Sequence, residues 1–216
     1  MTTAFPRASR EQNFVRLLFL LDRAGEPCGD SAPDGAYSLM RGQTRLQALD
    51  FWMRNPDYLA DELITEYEKN RAETWALQVA KEIFDSREPT IRRLPMLKWR
   101  YGAYEFLDDT LAIMVSRRLV THRPEAGSQR VREHLYWLME AGHGVAEQLL
   151  HAEDIFSWYA DRADVVGWLA GSAGGAALKK RQYEHSEYGS TSPLQAIRSI
   201  EDRVRARLAA LETEAA

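Results

Sequence analysis

The chain holds a single cysteine, Cys28, so it cannot close a disulfide within itself. That excludes a small disulfide-stapled scaffold and points to a reducing, cytoplasmic compartment. Long apolar runs are missing as well. The most apolar N-terminal stretch, residues 14–21, is broken by Arg16 and falls far short of the roughly 20 residues of a membrane helix. Arg7 and Arg10 precede it, but no small-residue cleavage pattern follows, so neither a signal peptide nor a membrane partner is expected. A large charge of one sign is also absent. With 28 Lys and Arg against 32 Asp and Glu, the net charge is −4, and the molecule as a whole is no polycation for nucleic acid. Any electrostatic preference has to come from a local patch.

What is present is a globular composition: 216 residues, 45% hydrophobic and 10% aromatic, enough for one large domain or a small one with helical additions. Ser9-Arg10-Glu11-Gln12 has the form of a capping box. Behind it Phe14, Leu17, Leu18 and Leu21 recur at helical spacing up to Gly25. From Glu26 to Gly42 the composition turns to Gly, Pro, Asp and Ser, which predicts a mobile loop over about 26–42. A helix is expected over about Gln43–Arg54, and Asn55-Pro56 caps and opens the next. Trp75, Val79, Ile83 and Phe84 mark another.

The section after Pro95 carries more information. Phe106, Leu107, Leu111, Met114 and Val115 form a helical pattern that ends in Arg117-Arg118. Leu119–His122 reads as a strand, residues 124–128 as a turn, and Val131, Leu135 and Trp137 as the returning strand. A helix then opens at Met139 and carries Val145, Leu149 and Leu150. Helix, strand, turn, strand, helix is the layout of a winged helix-turn-helix. The fold class is therefore expected to be mainly α (α+β). Residues 1–95 would form an N-terminal helical region, 96–151 the winged-helix module and 152–216 a C-terminal helical region. In the last of these, Ser192-Pro193 is expected to start a helix with Leu194, Ile197, Ile200, Val204, Leu208 and Leu211 on one stripe.

Charge is segregated along the chain. Residues 87–132 hold ten Lys or Arg and five Asp or Glu, whereas residues 47–85 hold four and nine. Arg117, Arg118, Arg123, Arg130 and Arg132 around the wing are the candidates for phosphate contact. Against base readout, the recognition helix would begin with Glu105, Asp108 and Asp109, and its N-terminal half has no Arg, Asn or Gln placed for it. The acidic first half would suit a basic protein surface. Six Trp and nine Tyr exceed what a small wing needs, and interfaces favour such anchors. Trp52, Tyr58, Tyr101, Tyr104 and Tyr183 are the candidates for partner contact.

Catalytic patterns are weak. His143, Glu147 and His151 share one helical face at ligand-compatible spacing, but nothing near them completes a shell. Cys28 has no local activating base. The run Gly171–Gly175 lacks the Lys-Ser/Thr ending of a phosphate loop, since Arg181 follows Lys179-Lys180. Tyr183-Glu184-His185 sets an acid beside an imidazole, but adjacent helical residues diverge. Neither an enzyme nor a cofactor is expected.

Three stretches resemble a family pattern. Tyr101-Gly102-Ala103-Tyr104, with Leu107, Leu111 and Arg117-Arg118-Leu119-Val120, resembles the "GPY … L … L … GLV" signature of small bacterial helix-turn-helix accessory proteins, with Ala103 in place of Pro and Arg118 in place of Gly. Residues 136–142 are similar to the "Y-x-L-T-x-x-G" that enters the last helix of many winged-helix domains. Residues 175–188, with Leu178-Lys179 and Tyr183-Glu184-His185, resemble the C-terminal part of the middle components of three-component ABC-type defence systems of the Lamassu group. That resemblance implies a non-catalytic subunit that accompanies a large SMC-like or Rad50-like ATPase and an effector, with DNA reached through the complex. A free-standing winged-helix transcriptional regulator is the alternative.

Overall fold

A computed structural model describes residues 8–99, 102–126 and 131–215, with the backbone alone for residues 126, 131, 132 and 215. In chain order the elements are α1 (Arg10–Arg23), β1 (Glu26–Pro27), β2 (Ala36–Arg41), α2 (Gln43–Arg54), α3 (Pro56–Lys69), α4 (Thr74–Asp85) and α5 (Glu88–Ile91). They continue with β3 (Leu97–Trp99), β4 (Gly102–Tyr104), α6 (Asp108–Ser116), β5 (Val120–Ala126), β6 (Val131–Met139) and α7 (Glu140–Leu150). The chain ends with α8 (Asp154–Ala170), α9 (Gly175–Glu184), α10 (Ser186–Ser190) and α11 (Glu201–Ala215). The protein is mainly helical, with a small antiparallel sheet ordered β1-β2-β6-β5 and a separate β3-β4 hairpin.

Local chemistry starts several of these elements. Ser9 accepts from the Gln12 amide while the Gln12 side chain accepts from the Ser9 amide, so both arms of the capping box close at α1. Pro56 stands in the first turn of α3, where its missing N–H costs nothing. Gly142 lets α7 lie against the sheet: a Cβ there would fall 2.5 Å from both the Leu119 carbonyl oxygen and Leu138 Cδ1.

The segment expected as a mobile loop over 26–42 is instead structural. β2 pairs antiparallel with β6 in the register Leu39↔Trp137 and Arg41↔Leu135, and the Ser38 hydroxyl donates to the Leu21 carbonyl of α1 at 2.6 Å. Turn-forming residues fill 29–35, but Ser38, Leu39 and Met40 find partners about a hundred positions away. β6 pairs on its other edge with β5, Val120 opposite Leu138 and His122 opposite Tyr136. Met40, Val120, Tyr136 and Leu138 belong to one core cluster that also holds residues of α1, α2, α3, α8 and α11. The boundaries expected near 95 and 151 thus do not separate independent cores. A second difference lies near the C-terminus. Residues 192–195 form a turn, Leu194 with φ +65°, that brings 194–197 beside β3, with the Leu194 amide donating to the Lys98 carbonyl and the Lys98 amide to the Gln195 carbonyl. α11 accordingly starts at Glu201 rather than at Ser192.

The core is also where the acidic residues of the first half went. Asp50, fully buried, sits between Arg16 and Arg54. Glu62 binds Arg181 and His185, and Asp61 binds His185, Arg203 and Arg207. Asp57, also fully buried, accepts from the Ser199 hydroxyl and the Ile200 amide. The expectation that this acidic half presents a surface for a basic partner therefore fails for Asp50 of α2 and for Asp57, Asp61 and Glu62 of α3, its most acidic helix. Buried charges need counter-charges or donors close by, and the chain supplies its own. Arg16, which interrupts the apolar run of α1, is one of them.

Candidate interaction surface

Two of the expected partner anchors are core residues. Trp52 and Tyr58 are 0% exposed. Tyr58 donates to the Arg198 carbonyl at 3.0 Å and packs edge-on against Phe51 and His185. A ring without surface cannot anchor a partner, and aromatic type alone does not distinguish the two cases. Tyr101 lies outside the described residues. Tyr104 and Tyr183 do reach the surface, and both lie beside the β3-β4 hairpin.

That hairpin is rigid at its base and apolar at its rim. Gly102 has φ +123°, and a Cβ on it would lie 2.9 Å from the Tyr188 hydroxyl. The close approach lets the buried Tyr188 oxygen accept from the Ala103 amide at 2.6 Å. Burial pushes the Tyr188 phenol well above its ordinary range, so it remains neutral. Lys98, almost fully buried, donates to the Tyr188 and Gly189 carbonyls at 2.7 Å each. Gln47 exchanges two hydrogen bonds with the backbone of Glu105, whose carboxylate also binds Arg54.

On this base stand three rings in sequence. Trp99 and Tyr104 have centroids 6.5 Å apart, and Tyr104 meets Phe106 edge-on at 5.2 Å. Trp99 is 46% exposed and Phe106 69% exposed. Phe106, expected inside the helical pattern, precedes α6 and points away from the core because Leu107 takes the buried position. A cleft of about 270 Å³ opens between α2, β4 and α9, lined by Gln43, Gln47, Trp99 and Tyr104 among others. Beyond Trp99 a shallower groove of about 550 Å³ runs past Tyr183 to Leu194, which is itself 61% exposed.

α6 continues the surface. Thr110, Leu111 and Met114 face the core, leaving Asp108, Asp109, Ala112, Ile113, Val115 and Ser116 outside. Ile113 and Val115 are about two-fifths exposed. No Lys, Arg, Asn or Gln lies on this helix. Sequence reasoning missed Trp99, Ile113 and Leu194. A weak cue was available for Ile113, since it falls off the stripe set by Leu111 and Met114.

The basic residues lie at the other end of α6. Arg117 and Arg118 are exposed in the turn that leads to β5, Arg118 with φ +59°. Arg123 is exposed on β5, its guanidinium 5.6 Å from the Trp137 ring centroid. Arg130 and the side chain of Arg132 lie outside the described residues.

The possible metal face is engaged elsewhere. His143 Nδ1 lies 2.8 Å from Asp22 and its ring stacks on Tyr37, while Glu147 reaches Arg23 at 3.4 Å. These contacts bind α7 to α1 and β2. Among the described residues no three His, Cys, Asp or Glu side chains gather as a metal shell.

No family model matches the chain, and no solved structure matches it. The fold itself defines the class, a mainly helical α+β protein. No helix of the described residues is long and apolar enough to cross a membrane.

Proposed function

We propose that this chain is a non-catalytic, cytoplasmic accessory subunit that joins larger protein partners through the surface formed by α6 and the β3-β4 hairpin. The observation that carries this is the outward face of α6. In a DNA-reading helix the N-terminal half meets base edges and is flanked by phosphates. Here that half offers two exposed carboxylates followed by Ala112, Ile113 and Val115. Carboxylates repel phosphates, and an isoleucine reads no hydrogen-bonding edge. Exposed apolar and aromatic groups on a rigid element, rimmed by charge, suit a protein partner.

The winged-helix reading of the module has topological support. α6, β5, β6 and α7 follow one another as helix, strand, strand, helix; β2 adds a third strand beside β6; and α1 touches both α2 and α6. On this reading α3 to β4 are an insertion within the module. The resemblance to middle components of Lamassu-type defence systems names the partners as an SMC-like ATPase and an effector. A winged-helix regulator remains the second reading, and the exposed Arg117, Arg118 and Arg123 are what favour it.

The test is a tagged pull-down from the source cells at native expression, with the wild-type chain and a Phe106→Asp/Ile113→Asp double variant compared by mass spectrometry. Recovery of a large ATPase by the wild type and its loss in the variant is the expected result. Equal recovery by both would remove the surface from the proposal. A homodimer carrying duplex DNA and no ATPase would make the regulator the better account.

A further inference from the structure

A pocket on a different side of the molecule has no part in that surface. It lies between α1, α2, the chain after α5, and α8, with a volume of about 100 Å³. Its charged lining is three arginines, Arg16, Arg54 and Arg92, with no carboxylate; Gln12, Trp158 and Tyr159 complete the polar and aromatic walls.

The charges around it do not balance. Arg16 and Arg54 share Asp50, and Arg54 also takes Glu105. Arg162, 7% exposed, takes Glu88, which also accepts from Trp158 Nε1. Arg92 has no ion pair and no side-chain hydrogen bond among the described residues. Its guanidinium lies 4.3 Å from the Trp158 ring centroid, and that of Arg162 lies 5.6 Å from the same centroid. Two like charges thus flank one indole, and the buried Nε and Nη1 of Arg162 have no hydrogen-bond partner. Like-charged guanidiniums repel, and an anion beside the partly exposed Arg92 relieves that.

We infer that this pocket binds a phosphoryl group. The volume admits one small oxyanion. Arg92 and Arg16 come from different elements, which suits the several directions of a tetrahedral phosphate better than a flat carboxylate; Arg54, whose nitrogens already donate to Leu94, Glu105 and Pro95, adds charge rather than a donor. Arg92 is the free donor, and Arg16 Nη1, held only by a 3.4 Å contact to the Gln12 carbonyl, is the second. Trp158 forms the wall against which Arg92 is oriented.

Calorimetric titration of the full chain with inorganic phosphate, at ionic strength matched with chloride, tests this. Saturable one-to-one binding is expected, about tenfold weaker in Arg92→Ala, the effect of losing one charge-assisted donor. Arg123→Ala should bind as the wild type does. Arg92 touches the fold through the Trp158 ring and makes no side-chain hydrogen bond, so Arg92→Ala should shift the unfolding midpoint only slightly in phosphate-free buffer; Arg92→Lys, with charge but no fork, should bind with intermediate affinity. A parallel titration with a nucleoside monophosphate separates the sources: tighter binding than phosphate marks a nucleotide, equal binding the free ion. No saturable heat up to about 10 mM, equal affinity of wild type and Arg92→Ala, or a preference for acetate over phosphate would overturn the inference.

Discussion

The α2–α3 region and the α6–hairpin region invert what their compositions suggest. The first is rich in Asp and Glu, yet Asp50, Asp57, Asp61 and Glu62 are buried and supplied with donors by α1, α9, α11 and the chain before α11. The second is rich in Trp, Tyr, Phe and Ile, yet Trp99, Phe106 and Ile113 face outward. Charge was spent on holding helices in register, and apolar surface was left outside. Local composition therefore does not separate core from surface; the location of the complementary group does.

The largest effect expected from this contrast is at Asp50. Asp50→Ala leaves Arg16 and Arg54 buried without their shared counter-ion, and should lower stability by about 3–5 kcal/mol. Denaturant titration reads it, and a change within that of an ordinary surface substitution would mean that the interior pair is not sustaining the fold. Asp109→Asn on α6, the same chemistry on the exposed side, should stay within about 0.5 kcal/mol.

A second expectation concerns pH. Burial alone would lower the pKa of His185, but its hydrogen bonds and charge contacts with Asp61 and Glu62 outweigh burial and raise it from 6.5 to about 9. Burial likewise acts to raise Asp61, and His185, Arg207 and Arg203 outweigh it and hold Asp61 at about 2. A raised histidine stabilises fully below about pH 6.5 and loses that contribution as pH climbs through about 9. A lowered carboxylate stabilises above 3.8 and loses its share as pH falls toward 2. Stability against thermal unfolding should therefore fall above pH 6.5, by on the order of 1–3 kcal/mol from His185. His185→Gln should flatten that alkaline fall; an unchanged profile would detach His185 from it.

Smaller again is the cap of α1. Ser9→Ala removes the acceptor for the Gln12 amide and should cost about 1 kcal/mol, measurable as a shift in denaturation midpoint. The smallest stability effect is expected at Phe106. Phe106→Ala should change stability by less than about 0.5 kcal/mol while weakening partner capture. A loss of several kcal/mol there would assign the ring to the core and dissolve the contrast.

Much of the fold was legible because it is locally encoded. The capping box at Ser9, α2 over Gln43–Arg54, the Pro56 start of α3 and the β5-β6 pair followed by α7 all rest on contacts within a few residues or on plain periodicity. Which aromatic rings reach the surface was only partly legible. Tyr104 and Tyr183 are partly exposed, but Trp52 and Tyr58 carry the same aromatic signal from inside the core. Periodicity also drew Phe106 into α6, although the position next to it, Leu107, is the buried one.

By itself the sequence determined where α1, α2, α3 and α7 start, and that a two-stranded hairpin follows α6, because caps, prolines and apolar spacing act through bonds formed nearby. The tertiary structure alone decided that residues 36–41 are an inner strand, since the partners of β2 lie in β6 about a hundred residues on. It alone drew 194–197 alongside β3. It also decided which charges are structural, because the cost of burying an ion is set by the groups that surround it in space and not by its neighbours along the chain.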